Sequence, residues 1–143
     1  MYKFIRERHQ EYAITENDIR EVEERFGIVF PKVLRDFYLE YNGDSIKDSC
    51  FSVNGNDYTV DDMHYIKIKG RPSVEFVLQL EREDGYIPSN LVAFAYDCGG
   101  ESYYWSMDDG KVYFIDTEEI ENIIFVCDSI EEFFKLLEEA EPF

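Results

Sequence analysis

Any chemistry in this chain would have to be built from two histidines, three cysteines and a large surplus of carboxylates. His64 follows Asp61 and Asp62 and opens an apolar run, while Cys98 lies in the glycine turn Asp97-Cys98-Gly99-Gly100-Glu101. A Cys98 thiolate with His64 as its base would form a nucleophilic pair, because such partners need be neighbours only in space. No spacing in the sequence supports that pairing, so a structural or solvated His64 is the expectation. His9, set among charged residues, reads as solvated.

The carboxylates concentrate at turns. Asp97 and Glu101 flank one glycine turn, and Asp108-Asp109-Gly110 forms the next. Hard cations want several oxygen ligands on a flexible loop, so a calcium site is conceivable there. EF-hand spacing is absent, however, and Asp-Gly is also what an ordinary hairpin turn requires, so the turn reading is preferred. Cys50, Cys98 and Cys127 form no paired motif, which argues against both a zinc site and a disulfide framework. Gly99 and Gly100 are followed by no lysine that could cradle a phosphate, and the surrounding carboxylates would repel one. No metal and no cofactor are expected.

The aromatic residues carry a different signal. Tyr96, Tyr103, Tyr104, Trp105 and Tyr113 cluster around the two hairpins, rimmed by Asp97, Glu101, Asp108 and Asp109. Tyr and Trp favour interfaces because each joins a large rigid apolar area to a polar tip. Modules that stack aromatics on bases are basic, and this chain is not. Asp97, Glu101, Tyr103, Asp108 and Asp109 are therefore the candidate partner-binding set. Burial of half or more of the rings in the core is the equally compatible alternative.

Charge decides what kind of partner fits. The formal net charge is −18, and half of that excess falls in residues 116–143. Such a surface repels nucleic acid and anionic membrane and attracts basic partners. The first twelve residues are too polar for a secretory signal, and no run is long enough to span a bilayer, so a cytoplasmic protein is expected.

At 143 residues one domain with a single core is the simplest organisation. Thr15 caps a helix over residues 16–26, with Asp18 as capping-box partner, Ile14 and Ile19 as a hydrophobic staple, and Gly27 as the stop. Pro31 starts a second helix over residues 31–41, with Leu34, Phe37, Tyr38 and Tyr41 inward, closed by Asn42-Gly43. Residues 50–53 and 58–60 read as a hairpin across Asn54-Gly55. Residues 65–68, 91–95, 101–106, 111–115 and 123–127 read as further strands. Ser129 caps a helix over residues 130–139, striped by Ile130, Phe133, Phe134 and Leu137. The alternation of Val74, Phe76, Leu78 and Leu80 within residues 73–83 leans toward strand, although Ser73 could cap a helix. Helices before and after a run of hairpins predict an α+β domain, with a twisted antiparallel sheet flanked by an N-terminal helix pair and a C-terminal helix.

Three segments resemble the SUKH superfamily, the group of the fungal Smi/Knr regulators and many bacterial immunity proteins. The first is Phe30-Pro31 running through Phe37-Tyr38-Leu39-Glu40-Tyr41 into Asn42-Gly43, where the family usually has Leu before the Pro. The second is Pro88 followed by Leu91-Val92-Ala93-Phe94-Ala95-Tyr96-Asp97 and a glycine turn. The third is Val112-Tyr113-Phe114-Ile115-Asp116, followed by the helix that Ser129 starts. The matches span residues 15–137 in the family's order. The resemblance implies a helix over residues 73–83. It also implies a non-catalytic immunity protein that binds a cognate toxin, a nucleic-acid-degrading one with a basic cleft, which the acidic charge would suit. A regulatory or scaffolding role is the first alternative, and an enzyme using Cys98 or an Asp pair is the second.

Overall fold

The computed structural model describes residues 1–116 and 122–142. Helix α1 (Glu16–Phe26) begins at a complete capping box, in which Thr15 accepts from the Asp18 amide and Asp18 accepts from the Thr15 amide. It ends at Gly27, whose φ of 66° is left-handed. Helix α2 (Lys32–Tyr41) follows after a break held by one carboxylate. Glu23 accepts from the Phe30 amide at 2.8 Å and pairs with Arg35 at 2.7 Å, fixing the angle between the two helices.

Asn42 closes α2 and does more than stop it. Its side chain is buried, donates to the carbonyls of Tyr12 and Ile66 at 2.9 and 3.0 Å, and accepts from the Ile66 amide at 3.1 Å. Three backbone groups from two distant segments are thereby satisfied by one amide, as burial demands. Gly43 beside it has a φ of 85°, and a Cβ there would lie 2.5 Å from the Tyr12 side chain. Only glycine meets both conditions. Arg71 strengthens the same junction, donating to the Gly43 carbonyl and to Asp62, with its guanidinium over the Tyr65 ring.

This junction overturns the strand expected over residues 65–68. Lys67 sits at a φ of 54°, and the Ile66 amide is taken by Asn42 rather than by a neighbouring strand. The segment is an irregular loop with Tyr65, Ile66 and Ile68 inward.

Strands β1 (Ile5–Glu7) and β2 (Ser45–Ile46) form a small pair. Strands β3 (Ser49–Val53) and β4 (Asn56–Val60) make the expected Asn54-Gly55 hairpin, joined by β10 (Glu141–Pro142). The main sheet runs in the order β5 (Asp62–Met63), β6 (Leu91–Tyr96), β7 (Ser102–Ser106), β8 (Val112–Ile115) and β9 (Ile123–Cys127), all antiparallel. Between β5 and β6 lies α3 (Val74–Asp84), capped by Ser73 and stopped by Gly85. The strand-like alternation there splits by helical turn: Val74 and Leu78 are buried, whereas Phe76 and Leu80 are exposed. Helix α4 (Ile130–Glu139) starts at Ser129, which accepts from the Glu132 amide.

The main sheet is covered on both faces. On the inner face Phe133 of α4 meets Phe94 and Tyr103 at ring separations of 5.0 and 5.1 Å, and Phe30 ahead of α2 meets Trp105 at 5.5 Å. On the outer face α3 and Ile87 cover Leu91, Ala93, Tyr104 and Ile115. All five residues of β7 are consequently buried.

Replacing Asn42 by Ala strands the Ile66 amide and two carbonyls in the interior. A loss of about 3 kcal/mol is expected from such unmade bonds. In a domain of this size that is a drop of about 10 °C in melting temperature. Thermal or urea unfolding of the variant checks it, and a loss below about 1 kcal/mol would contradict the role given to this amide.

Candidate partner-binding surface

The five residues singled out by sequence do not form one patch. Asp97 and Glu101 lie in the β6–β7 turn and Asp108 and Asp109 in the β7–β8 turn, which are at opposite ends of β7. A five-residue strand separates them by about 16 Å. That exceeds the screening length of about 8 Å at physiological salt, so each end acts on an approaching charge independently. Tyr103 belongs to neither end. It is fully buried, its hydroxyl donates to the Thr59 carbonyl at 2.6 Å, and burial drives its pKa well above the usual phenol range. Tyr103 is therefore corrected from a contact residue to a core residue, because β7 is covered on both faces.

At the first end, Asp97 accepts from the Gly99 and Glu101 amides at 2.9 and 2.8 Å, while Gly100 takes a φ of 87°. The Cys98 amide donates to Thr59 Oγ1, tying the turn to β4. Asp61 faces this turn, and its carboxyl is raised by burial and by the nearby charges of Asp48 and Asp97. At the second end, Asp108 accepts from Asn90 at 2.8 Å, and Asp109 accepts from the Lys111 amide at 2.9 Å and the Tyr113 hydroxyl at 3.0 Å. The Lys111 amide chiefly holds Asp109 below the ordinary carboxylate range, so this exposed group stays charged.

Sequence reading passed over the strip beside this second end. Tyr113 of β8 pairs across the sheet with Phe125 of β9, and Ile115 with Ile123. These four side chains point to the outer face, where α3 and Ile87 cover Ile115 and Tyr113 is half-buried at their edge, but Ile123 and Phe125 lie beyond that cover. Ile123 and Phe125 are thus 42% and 40% exposed. Their alternation with buried Val126 was present in the sequence, but the run reads equally well as a two-sided core strand.

The Cys98–His64 pair is not assembled. His64 is buried, with Nδ1 2.7 Å from the Pro72 carbonyl and Nε2 3.1 Å from Ser102 Oγ. The first contact requires Nδ1 to carry the proton, leaving Nε2 to accept from the serine hydroxyl. Both nitrogens are therefore occupied, and Cys98 is exposed in the β6–β7 turn. The Ser102–His64 contact has the length of a nucleophile–base pair, but both residues are buried and burial pulls the imidazole down to about 4. An imidazole that acidic is a poor base at neutral pH. Cys127 is buried and its thiol is raised to about 12. Among the described residues, no group of three His, Cys, Asp or Glu side chains could hold a metal, and no helix is long and apolar enough to cross a membrane.

Residues 13–136 match the SMI1 / KNR4 family (SUKH-1). The chain belongs to that family. The SUKH-1 match spans the α1–α2 break, the Asn42-Gly43 junction, the whole main sheet and most of α4. The chain is also similar to a Bacillus subtilis (strain 168) protein named "Immunity protein YxxD", at 28% identity over 151 residues, covering 99% of this chain and 93% of the relative.

His64 makes the stability of this SUKH-1 domain pH-dependent in a definite sense. Its folded pKa, about 4, lies below the ordinary 6.5, so between these values the unfolded chain binds a proton that the folded one does not. This residue's contribution therefore falls as pH drops from about 6.5 to about 4, by roughly 3 kcal/mol at the limit. Asp61, Asp62 and Glu81, whose carboxyls are raised by burial, act in the opposite direction. The comparison that isolates the histidine is wild type against His64→Asn, by chemical unfolding from pH 7 to 4.5. The wild type is expected to lose stability relative to the variant as pH falls, and parallel profiles would contradict the neutral buried imidazole.

Proposed function

We propose that this protein is a cytoplasmic, non-catalytic immunity protein that binds a basic, nucleic-acid-degrading toxin domain and blocks its substrate cleft. The observation that carries the reading is similarity along nearly the whole chain to a protein named as an immunity protein. The physical argument for a basic partner is independent of it. A net charge of −18 competes with a phosphate backbone for the same cationic side chains.

The geometry narrows how the acidic surface works. The Asp97–Glu101 and Asp108–Asp109 ends are two poles of one sheet, and both draw a basic partner in from a distance. The second pole is the better contact, because its carboxylates border exposed apolar side chains that a partner can desolvate. The first pole borders further carboxylates, Asp48 and Asp61, and serves steering.

The test uses the toxin domain that the immunity reading expects among the genes adjacent to this one. Co-expression of the two is expected to restore growth that the toxin alone abolishes. Association should slow at least tenfold between low and physiological salt, with dissociation changing far less. Neutralising Asp108→Asn with Asp109→Asn keeps the turn's oxygen acceptors and should slow association at low salt about tenfold. A flat salt profile, measured by stopped-flow, would contradict electrostatic capture, and absence of any binding would contradict the immunity reading.

A further inference from the structure

On the outer face α3 leaves Ile123 and Phe125 of β9 exposed and Tyr113 of β8 half-buried, and the composition of this strip indicates what covers it. The row Ala93, Tyr104, Tyr113 and Phe125 crosses four strands on one face of the sheet. Its first two members lie buried under α3, whereas the last two emerge beside it. The Tyr113 and Phe125 rings meet edge to face, at 6.1 Å and 71°. Ile123 extends the apolar strip along β9, which is an edge strand of the sheet.

Carboxylates border this strip on two sides. Asp109 holds the Tyr113 hydroxyl at one end, with Asp108 next to it, and Glu81 of α3 accepts from the Tyr104 hydroxyl on the other. The Phe125 ring already receives a cation: the Lys111 ammonium lies over it, 5.8 Å from the centroid. Lys111 is also the one basic residue between Arg82 and Lys135 in the sequence. A ring face that takes up an ammonium, beside a carboxylate held ionised, is a socket for an arginine or lysine. The apolar side chains around it supply the desolvated centre that productive interfaces need.

We infer that the strip formed by Tyr113, Ile123 and Phe125, with Asp109 at its edge, is the surface on which the toxin docks. It takes a basic segment of that partner, whose cationic side chain displaces Lys111 from the Phe125 ring. The inference rests on the immunity reading and adds its location and chemistry. Phe125 is the anchor, Ile123 widens the apolar contact, and Lys111 is an internal competitor that holds the ring until the partner arrives.

The experiment is a calorimetric titration of the full chain with the toxin domain, alongside growth protection in cells. Phe125→Ala and Ile123→Ser are each expected to weaken binding thirtyfold or more, as loss of a central contact does. Lys111→Gln should tighten it several-fold, and Phe76→Ser, which alters an exposed ring on α3 away from the strip, should leave it unchanged. Both strip positions lie on an exposed edge, and matching circular dichroism spectra and melting temperatures establish that the variants fold. If Phe125→Ala fails to fold, Ile123→Ser carries the test alone. A wild type that binds and protects while the folded strip variants bind within twofold overturns the location but leaves the immunity reading standing. A wild type that neither binds nor protects overturns both. A concentration-dependent dimer in sedimentation, abolished by Phe125→Ala, would reassign the strip to a second copy of this chain.

Discussion

The side-chain amide of Asn42 is the constraint on which the rest of the architecture depends. It sits where α2 ends, and it holds the segment before α1 and the loop after β5 to that point with three hydrogen bonds. Burying three backbone groups without such a partner would cost several kcal/mol, comparable with the whole stability of a domain. The loop it holds brings Tyr65 under Arg71, and the His64 carbonyl accepts from the buried Tyr38 hydroxyl at 2.9 Å. From that anchor β5 enters the sheet and α3 is set over β6. What α3 covers, and what it leaves bare, therefore follows from a junction on the opposite side of the sheet.

Burial of β7 on both faces has a functional consequence. Tyr103, Tyr104 and Trp105 make the sheet rigid, and rigid sheets present their turns and edges in fixed positions. Asp97 and Asp109 are each held by backbone amides of their own turns, and Asp108 by the Asn90 side chain. Those bonds fix where the negative charge stands without neutralising it. An acidic partner-binding protein needs charge that is positioned in advance, because ordering long side chains at encounter would oppose binding. The short Asp side chains at Asp97, Asp108 and Asp109 meet that need better than longer Glu side chains would.

Much of the fold was legible because its signals are local. The Thr15 capping box, the left-handed Gly27, the Pro31 restart, the Asn54-Gly55 hairpin and the Ser129 cap each act within a few residues, and each appears where the sequence places it. What sequence missed was tertiary. Residues 65–68 alternate like a strand, but Asn42 takes the hydrogen bond a strand partner would have used. Asp97 and Asp109 are close in sequence, yet consecutive hairpin turns fall on opposite ends of their shared strand. Tyr103 looked like an interface residue because nothing local reveals that β7 is covered twice. Ile123 and Phe125 did not stand out within their apolar strand for the converse reason, since the limit of α3's cover is invisible along the chain. The resemblance at Pro88 through Phe94-Ala95, which a helix precedes in the family, correctly gave a helix over residues 73–83, where periodicity pointed to a strand.

The measurement that bears most directly on the proposed docking face is amide hydrogen exchange of the protein alone and saturated with the toxin domain that the immunity reading assigns to it. Exchange reports protection segment by segment and needs no substitution. The account predicts that binding slows exchange in residues 107–115 and 122–127, the second pole and the bare strip, while residues 97–101 and the exposed side of α4 change little. Protection confined to residues 97–101, or to α4, would contradict the assigned docking face even if the complex were tight.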